Sequence, residues 1–146
     1  MSHDLQRSLP YLLARAGIRT GQAFSLEIKQ FGLTLNEWRV GATLRQQPHQ
    51  RLSEVAEHTS IDASTLSRLI DSMVQRKLVL RERSADDARA VALSLTPEGE
   101  GVIDKVVPLA QLYERVTMAG ISPEHVQLLR DMLTQIFNNL DLLEHR

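Results

Sequence analysis

Leu52-Ser53-Glu54-Val55-Ala56-Glu57-His58, Thr59-Ser60-Ile61-Asp62, Ala63 to Lys77 and Leu78 to Thr96 follow one another in the middle of the chain. They read as a short helix, a turn, a second helix and a two-stranded hairpin with a charged tip. Ser53 and Asp62 are side chains that cap helices. The second helix places Leu66, Leu69, Ile70, Met73 and Val74 on one face and leaves Ser64, Thr65, Ser67, Arg68 and Asp71 elsewhere. Leu78–Arg83 and Ala90–Leu95 are rich in Leu and Val, and Val91, Leu93 and Leu95 alternate as a half-buried strand does. Ser84-Ala85-Asp86-Asp87-Ala88 is the turn between them. This order is the plan of a winged helix-turn-helix, which sets one helix in the DNA major groove with a hairpin beside it.

Outward from this centre the chain is helical. Ser8 precedes a helix from about Leu9 to Phe31, with Pro10 in its first turn and Gly32 as its stop. A second helix is expected from about Asn36 to Arg45, and Gln46–Gln50 reads as a loop. Thr96-Pro97-Glu98 opens a long helix that Pro108 should kink, and Gly120 breaks the chain. Ser122-Pro123-Glu124 starts the last helix. Its Val126, Leu129, Leu133, Ile136, Leu140 and Leu143 fall at alternating steps of three and four, a heptad seam that needs another helix to cover it. The fold class expected is mainly α with a small β-hairpin wing: a winged helix-turn-helix with N- and C-terminal dimerisation helices. The units are residues 33–96 for the DNA-binding lobe and residues 5–32 and 97–146 for the helical dimerisation region, within a single unit of 1–146.

The bulk numbers exclude several classes. The 146 residues suffice for one domain with a core, and 42% hydrophobic with 24% charged residues is ordinary for a folded soluble protein. No apolar run reaches a membrane span, and Met1-Ser2-His3-Asp4 does not start a signal peptide, so a cytoplasmic protein is expected. Cysteine is absent, which removes disulfides, thiol switches and thiolate metal sites. His3, His49, His58, His125 and His145 show no helical pairing, so no metal site is expected. Gly-rich phosphate loops, Gly-x-Ser-x-Gly and His-Glu-x-x-His are all missing, so neither an enzyme nor a cofactor is expected.

The net charge of −1 hides an asymmetry. Residues 1–89 carry 13 Lys/Arg against 10 Asp/Glu, whereas residues 90–146 carry 4 against 8. The basic excess is densest at Arg68, Arg76, Lys77, Arg81, Arg83 and Arg89, as a centre that meets phosphate requires. Ser64, Thr65 and Ser67 at the start of the recognition helix can bond base edges or phosphates, with capping as the alternative. Arg68 has the fork that reads guanine, with an ion pair to Asp71 as its alternative. Arg83 is a candidate phosphate contact or a solvated strand end.

The central stretch resembles the multiple antibiotic resistance regulator (MarR) family. The resemblance is carried by Leu52–Glu57, by Ser64–Met73, by Leu78–Arg83, and by Asp86-Asp87-Ala88-Arg89 leading to Leu93-Ser94-Leu95-Thr96-Pro97-Glu98-Gly99. Leu33–Val40 looks like the family's second helix. The resemblance implies an obligate homodimer, with interlocked terminal helices and one winged lobe on each half of a pseudo-palindromic site. Leu129, Leu133, Ile136 and Leu140 are then dimerisation residues. Arg89 resembles the wing residue that enters the minor groove, where narrow grooves attract arginine. Asp87 would orient that side chain by an ion pair. The family also implies a small aromatic or phenolic effector held between the dimer helices and the lobe. Arg15 and Arg19 with Trp38 are the candidates for it, a core role for Trp38 being the alternative. Two departures stand out: Lys77 replaces the usual Gly after the recognition helix, and Ser84-Ala85 replaces the usual Asp-Pro before the wing.

These residues lead to the expectation of a homodimeric, sequence-specific regulator of double-stranded DNA, a repressor released by a small ligand. The competing reading is a winged-helix protein-interaction module that does not read sequence.

Overall fold

The computed structural model describes residues 2–84, 86, 87 and 89–144. The chain is mainly helical, with a small antiparallel sheet of three strands. It divides by its contacts into two units, Met1–Ala110 and Gln111–Arg146.

In the first unit α1 spans Leu9–Ile28 with Pro10 in its first turn. Ser8 occupies the cap position, but its side chain makes no capping bond. Asp4 instead caps a short 3₁₀ turn, Leu5–Arg7, by accepting the Gln6 N–H at 3.0 Å. After Ile28 the chain tightens into a 3₁₀ turn over Lys29–Phe31 and is closed by Gly32 at φ 71°, a conformation glycine adopts without steric cost. α2 spans Leu35–Gln46 and starts on a reciprocal capping box. Thr34 Oγ1 accepts the Glu37 N–H at 3.2 Å, and Glu37 Oε1 accepts the Thr34 N–H at 2.9 Å.

The stretch read as a loop before residue 51 ends in a two-residue strand, β1, Gln50–Arg51. Two residues are too few to show an alternation, so only its partner reveals it. α3 spans Leu52–Thr59, two residues earlier than a Ser53 cap would give. Glu54 reaches back to accept the Arg51 N–H at 3.2 Å, and Ser53 lies inside the helix. The chain leaves α3 through Ser60 at φ 57°. α4 then runs Ala63–Gln75 behind its Asp62 cap, burying Leu66, Ile70 and Met73.

β2 (Val79–Arg83) and β3 (Val91–Leu95) form the hairpin, and the strand order is β1-β3-β2. The register pairs Val79 with Leu95, Arg83 with Val91, and Gln50 with Leu93. The simple alternation expected of β3 is not kept. Leu93 and Leu95 are buried, but so are Ala92 and Ser94, while Val91 is 47% exposed. β3 is the central strand, and Ser94 Oγ accepts the His49 N–H at 3.1 Å. Val91 lies past the end of β1, toward the hairpin tip.

α5 spans Pro97–Thr117 and continues through Pro108. Its start is fixed by Thr96, whose hydroxyl donates to the Lys77 carbonyl at 2.6 Å and accepts the Gly99 N–H at 2.9 Å. A Cβ on Gly99 would stand 2.1 Å from the Leu78 carbonyl oxygen, so only glycine lets α5 approach the turn after α4. Gly41 on α2 likewise meets Ile103 of α5, at 2.2 Å from a notional Cβ. Ile28, Val40, Leu44, Val55, Leu66, Ile70, Met73, Val79, Ile103 and Val106 are the tightest core positions. Each contributes about 1.5–3 kcal/mol relative to leaving it in water.

In the second unit α6 spans Pro123–Asn139, with Ser122 capping it through the His125 N–H at 3.3 Å. The heptad seam was expected to ride one helix to Leu143. The helix ends at Asn139 instead, and Asp141–Glu144 form a separate turn, α7. Asn138, Asn139 and Asp141 are poor interior helix formers, which accounts for the break. α6 buries none of its residues within the chain. Leu128, Met132, Leu133, Ile136, Phe137 and Leu140 are all exposed there, a stripe wider than the seam alone.

Candidate DNA interface

The first turn of α4 is organised by Asp62. Its Oδ1 accepts the Thr65 N–H at 2.9 Å and the Ser64 hydroxyl at 2.8 Å. Bonds from Thr65, first through its side chain and then its backbone N–H, and from the Ser64 hydroxyl hold the carboxyl at about 2, against a small opposing effect of burial. The Arg68 charge adds to the lowering. Ser64 therefore spends its proton on the cap, which was the alternative reading for it, and keeps lone pairs to offer outward. Thr65 and Ser67 are half-buried, and Arg68 is exposed one turn further on.

The ion pair considered for Arg68 is not formed. Asp71 is taken by Arg81 of β2, which braces the wing against the recognition helix. Arg76 is engaged as well, with Glu37 and with the Gly32 carbonyl, the latter at 2.6 Å. Arg68, Arg83 and Arg89 are exposed, and none of them forms an ion pair among the described residues.

At the hairpin tip, the Ser84 N–H donates to the Ala90 carbonyl at 2.9 Å, and the Ala90 N–H to the Asp87 carbonyl at 3.0 Å. Asp87 was expected to hold the Arg89 guanidinium. Its Oδ1 instead accepts the Arg89 backbone N–H at 3.0 Å, so Asp87 fixes the turn and leaves the guanidinium outward of it. Ala85, Ala88 and His145 lie outside the described residues. Lys77 keeps the left-handed conformation that its glycine-like place demands, at φ 61°, with its N–H on the Val74 carbonyl at 3.0 Å. For a residue with a Cβ this conformation costs about 1–2 kcal/mol.

The effector candidates are not gathered in one cleft. Trp38 packs edge-on against Phe24, with ring centroids 5.8 Å apart, and lines a cleft of about 530 Å³ with Arg39, Thr43, Gln47, His58 and Thr59. A larger groove, about 960 Å³, runs along α1 from Leu13 to Lys29 and reaches Leu35 and Arg39. Arg15 and Arg19 line neither. Arg15 donates to Gln6 Oε1 at 3.0 Å and sits 5.5 Å from the Tyr11 ring centroid. Sequence spacing alone does not reveal which side of α1 faces α2.

The described residues contain no cluster of three His, Cys, Asp or Glu able to hold a metal ion. No helix among them is long and apolar enough to cross a membrane.

Comparison with known proteins bears on the same stretch. The MarR family model matches residues 33–91, from before α2 to the first residue of β3. Over these residues the chain is similar to the MarR family. The HTH-type transcriptional repressor IacR of Pseudomonas putida is 28% identical over 134 residues, covering 91% of this chain and 80% of that protein. Among solved structures, Bordetella bronchiseptica BpsR, whose DNA binding is regulated by 6-hydroxynicotinic acid, is 27% identical with a TM-score of 0.84. The match covers 93% of this chain and 97% of BpsR. The repressor CouR, bound to a 23-mer DNA duplex, is 25% identical with a TM-score of 0.80, covering 93% and 99%. The chain is thus similar to transcriptional regulators of the MarR family.

Two bracing elements of this lobe escape a reading of the sequence. One is Arg76 with Glu37, separated by 39 positions. The other is Gln50, fully buried, whose Nε2 donates to the carbonyls of Thr43 at 2.9 Å and Gln47 at 2.7 Å while its Oε1 meets His58 Nδ1 at 2.8 Å. The first joins residues distant along the chain, the second residues three to eight positions apart, and neither follows a helical or strand period. The capping box of Thr34 and Glu37 was the one signal available, and it explains only half of what Glu37 does.

Proposed function

We propose that this regulator is a homodimeric, sequence-specific repressor, acting in the cytoplasm on a pseudo-palindromic operator in double-stranded DNA. The observation that carries this reading is how the lobe uses its cations. Arg76 and Arg81 brace the fold, whereas Arg68, Arg83 and Arg89 stand exposed around the recognition helix and wing, with no ion pair among the described residues. Ser64, Thr65 and Ser67 lie at the positive end of the α4 dipole, where small hydroxyls permit close approach to DNA. Arg68 reads a base edge, Arg83 meets phosphate, and Arg89 enters the minor groove with its backbone fixed by Asp87.

Residues 33–96 are the DNA-binding lobe, and 5–32 with 97–146 are the dimerisation region. The exposed Leu133, Ile136 and Leu140, together with Leu129, supply the apolar face that a second copy covers. Repression is supported by the kinship with IacR and CouR, both named repressors. Release by a small ligand is supported by BpsR, regulated by 6-hydroxynicotinic acid. Arg15 and Arg19 serve an effector only if it contacts α1 outside the Trp38 cleft. A protein-docking module, the competing class, gives no reason for three exposed arginines on one lobe with no ion pair among the described residues.

Selection of duplexes from a random pool by the purified protein tests the reading. Enrichment of an inverted repeat with half-sites about one helical turn apart is expected. Recovery of unrelated sequences, or of a single half-site bound by a monomer, would contradict it.

A further inference from the structure

Asp71 has two candidate arginine partners. On α4 it follows Arg68 by three residues, the spacing at which side chains of one helix meet and opposite charges pair. From β2, Arg81 reaches the same carboxylate and takes it, donating from Nη2 to Oδ1. Arg68 is left exposed and without an ion pair among the described residues. The other carboxylate that feels its charge, Asp62, gives its Oδ1 to the Thr65 N–H and the Ser64 hydroxyl. Other carboxylates also lie close to Arg81. Glu98 lines the same cleft beside β2, and Glu82 follows in sequence, but neither pairs with it among the described residues. Arg81 and Asp71 are both open to solvent, and an exposed pair of this kind adds little to stability. Its larger consequence lies in which arginine it leaves over.

We propose that Arg81 is a positioning residue for DNA recognition: it holds Asp71 and so keeps the Arg68 guanidinium free to meet a base edge. The proposal rests on the reading of α4 as the recognition helix. Without Arg81, the carboxylate one turn along α4 is open to Arg68 and draws its fork back along the helix. A fork turned toward Asp71 cannot lie edge-on to a guanine, because that contact needs two parallel N–H bonds in one plane. The wing strand thus acts on base reading through α4, without Arg81 touching DNA.

Two measurements on the full-length protein test it. In the DNA-free protein, the Arg68 Nε–H signal should exchange freely with solvent and slow severalfold in Arg81→Met, as Arg68 engages Asp71. The double variant Arg81→Met/Asp71→Asn should return it to the wild-type rate. An Arg68 signal indifferent to Arg81→Met would overturn the proposal. On a duplex selected from a random pool, Arg81→Met should weaken binding by about three- to tenfold and relax the base preference that Arg68→Ala abolishes. Asp71→Asn should bind at least as tightly as wild type, and Arg81→Lys should keep most of the affinity. The double variant should regain both affinity and preference, and Arg81→Met should add nothing in an Arg68→Ala background. Equal losses from Asp71→Asn and Arg81→Met would make the pair a brace alone. A loss that Asp71→Asn does not restore would put Arg81 itself on DNA, and one that persists without Arg68 would make Asp71 repel DNA directly. Each of these three results overturns the proposal. A wild type that selects no duplex defeats the recognition reading, while the DNA-free signal still decides which arginine holds Asp71.

Discussion

Arg76, which closes the recognition helix, donates to the buried carboxylate of Glu37 at the start of α2, and the same carboxyl group caps α2 by accepting the Thr34 N–H. Glu37 is 5% exposed. One side chain thus fixes the N-terminus of α2, and through Arg76 the C-terminus of α4, so the recognition helix is braced by a charge that cannot be left unpaired. Arg76→Met is expected to destabilise the protein by roughly 1–3 kcal/mol. That is below the roughly 3–5 kcal/mol of breaking a fully buried pair, because the Arg76 side chain is 40% exposed. Denaturant midpoints at constant m-value check it. A change within error would mean that Glu37 is satisfied by Thr34 alone.

Gly99 and Gly101 lie two residues apart in α5 and should respond oppositely to alanine. At Gly99 the added Cβ would strike the Leu78 carbonyl, whereas at Gly101 nothing lies within 4 Å. Gly99→Ala is expected to cost about 1–3 kcal/mol or more through overpacking. Gly101→Ala should stabilise by about 0.5–1 kcal/mol through helix propensity. Thermal unfolding of both variants decides this, and loss of stability at both positions would contradict the packing described.

Asp62 gives the lobe an acid-sensitive cap. Its carboxyl is held at about 2 in the fold by Thr65, Ser64 and Arg68, below the roughly 3.9 of a free aspartate. A depressed folded value means that the stabilising effect is complete above about pH 4 and is lost as the pH falls toward 2. Asp62→Asn still caps α4 but does not titrate. The stability difference between wild type and Asp62→Asn should therefore shrink between about pH 4 and pH 2. A difference that is flat over this interval would remove the carboxylate from the cap.

The exposed stripe of α6 is the face on which the proposed dimer rests. Leu133→Asp with Ile136→Asp should convert a dimer to a monomer in sedimentation velocity while keeping the helical circular dichroism of the lobe. An unchanged dimer would place the contact on other residues.

The winged order of elements, the Asp62 cap and the Thr96-Pro97-Glu98-Gly99 start of α5 were legible because each rests on local chemistry: a period, a capping oxygen, a proline at a first turn. Gly99 was quoted as part of a pattern, and its reason appears only when the Leu78 carbonyl is seen against it. The Ser53 cap was misread because Arg51 and Glu54 start α3 two residues earlier. β1 was missed because its two residues matter only through β3. Asp87 was assigned to the wrong part of Arg89, since a carboxylate two residues before an amide closes a turn as readily as it pairs with a guanidinium. The choice between Arg81 and Arg68 as partner of Asp71 depended on the sheet's position beside α4.

Variants of Arg89 and Arg83 test the proposed groove contact and the proposed phosphate contact separately. Arg89→Ala should weaken operator binding by about ten- to a hundredfold, without loss of fold stability. Arg83→Ala should weaken specific and scrambled duplexes alike and lower the salt slope by about one. Equal, small effects from both variants would leave the wing outside the interface.

The central claim is tested most directly by fluorescence-anisotropy titration of the protein's own upstream intergenic DNA and a scrambled duplex over a salt series. Selective binding is predicted, with a slope equivalent to about 6–10 phosphate contacts per dimer. Equal, weak affinity for both duplexes at every salt concentration, together with no selective binding to any duplex from a random pool, would contradict it.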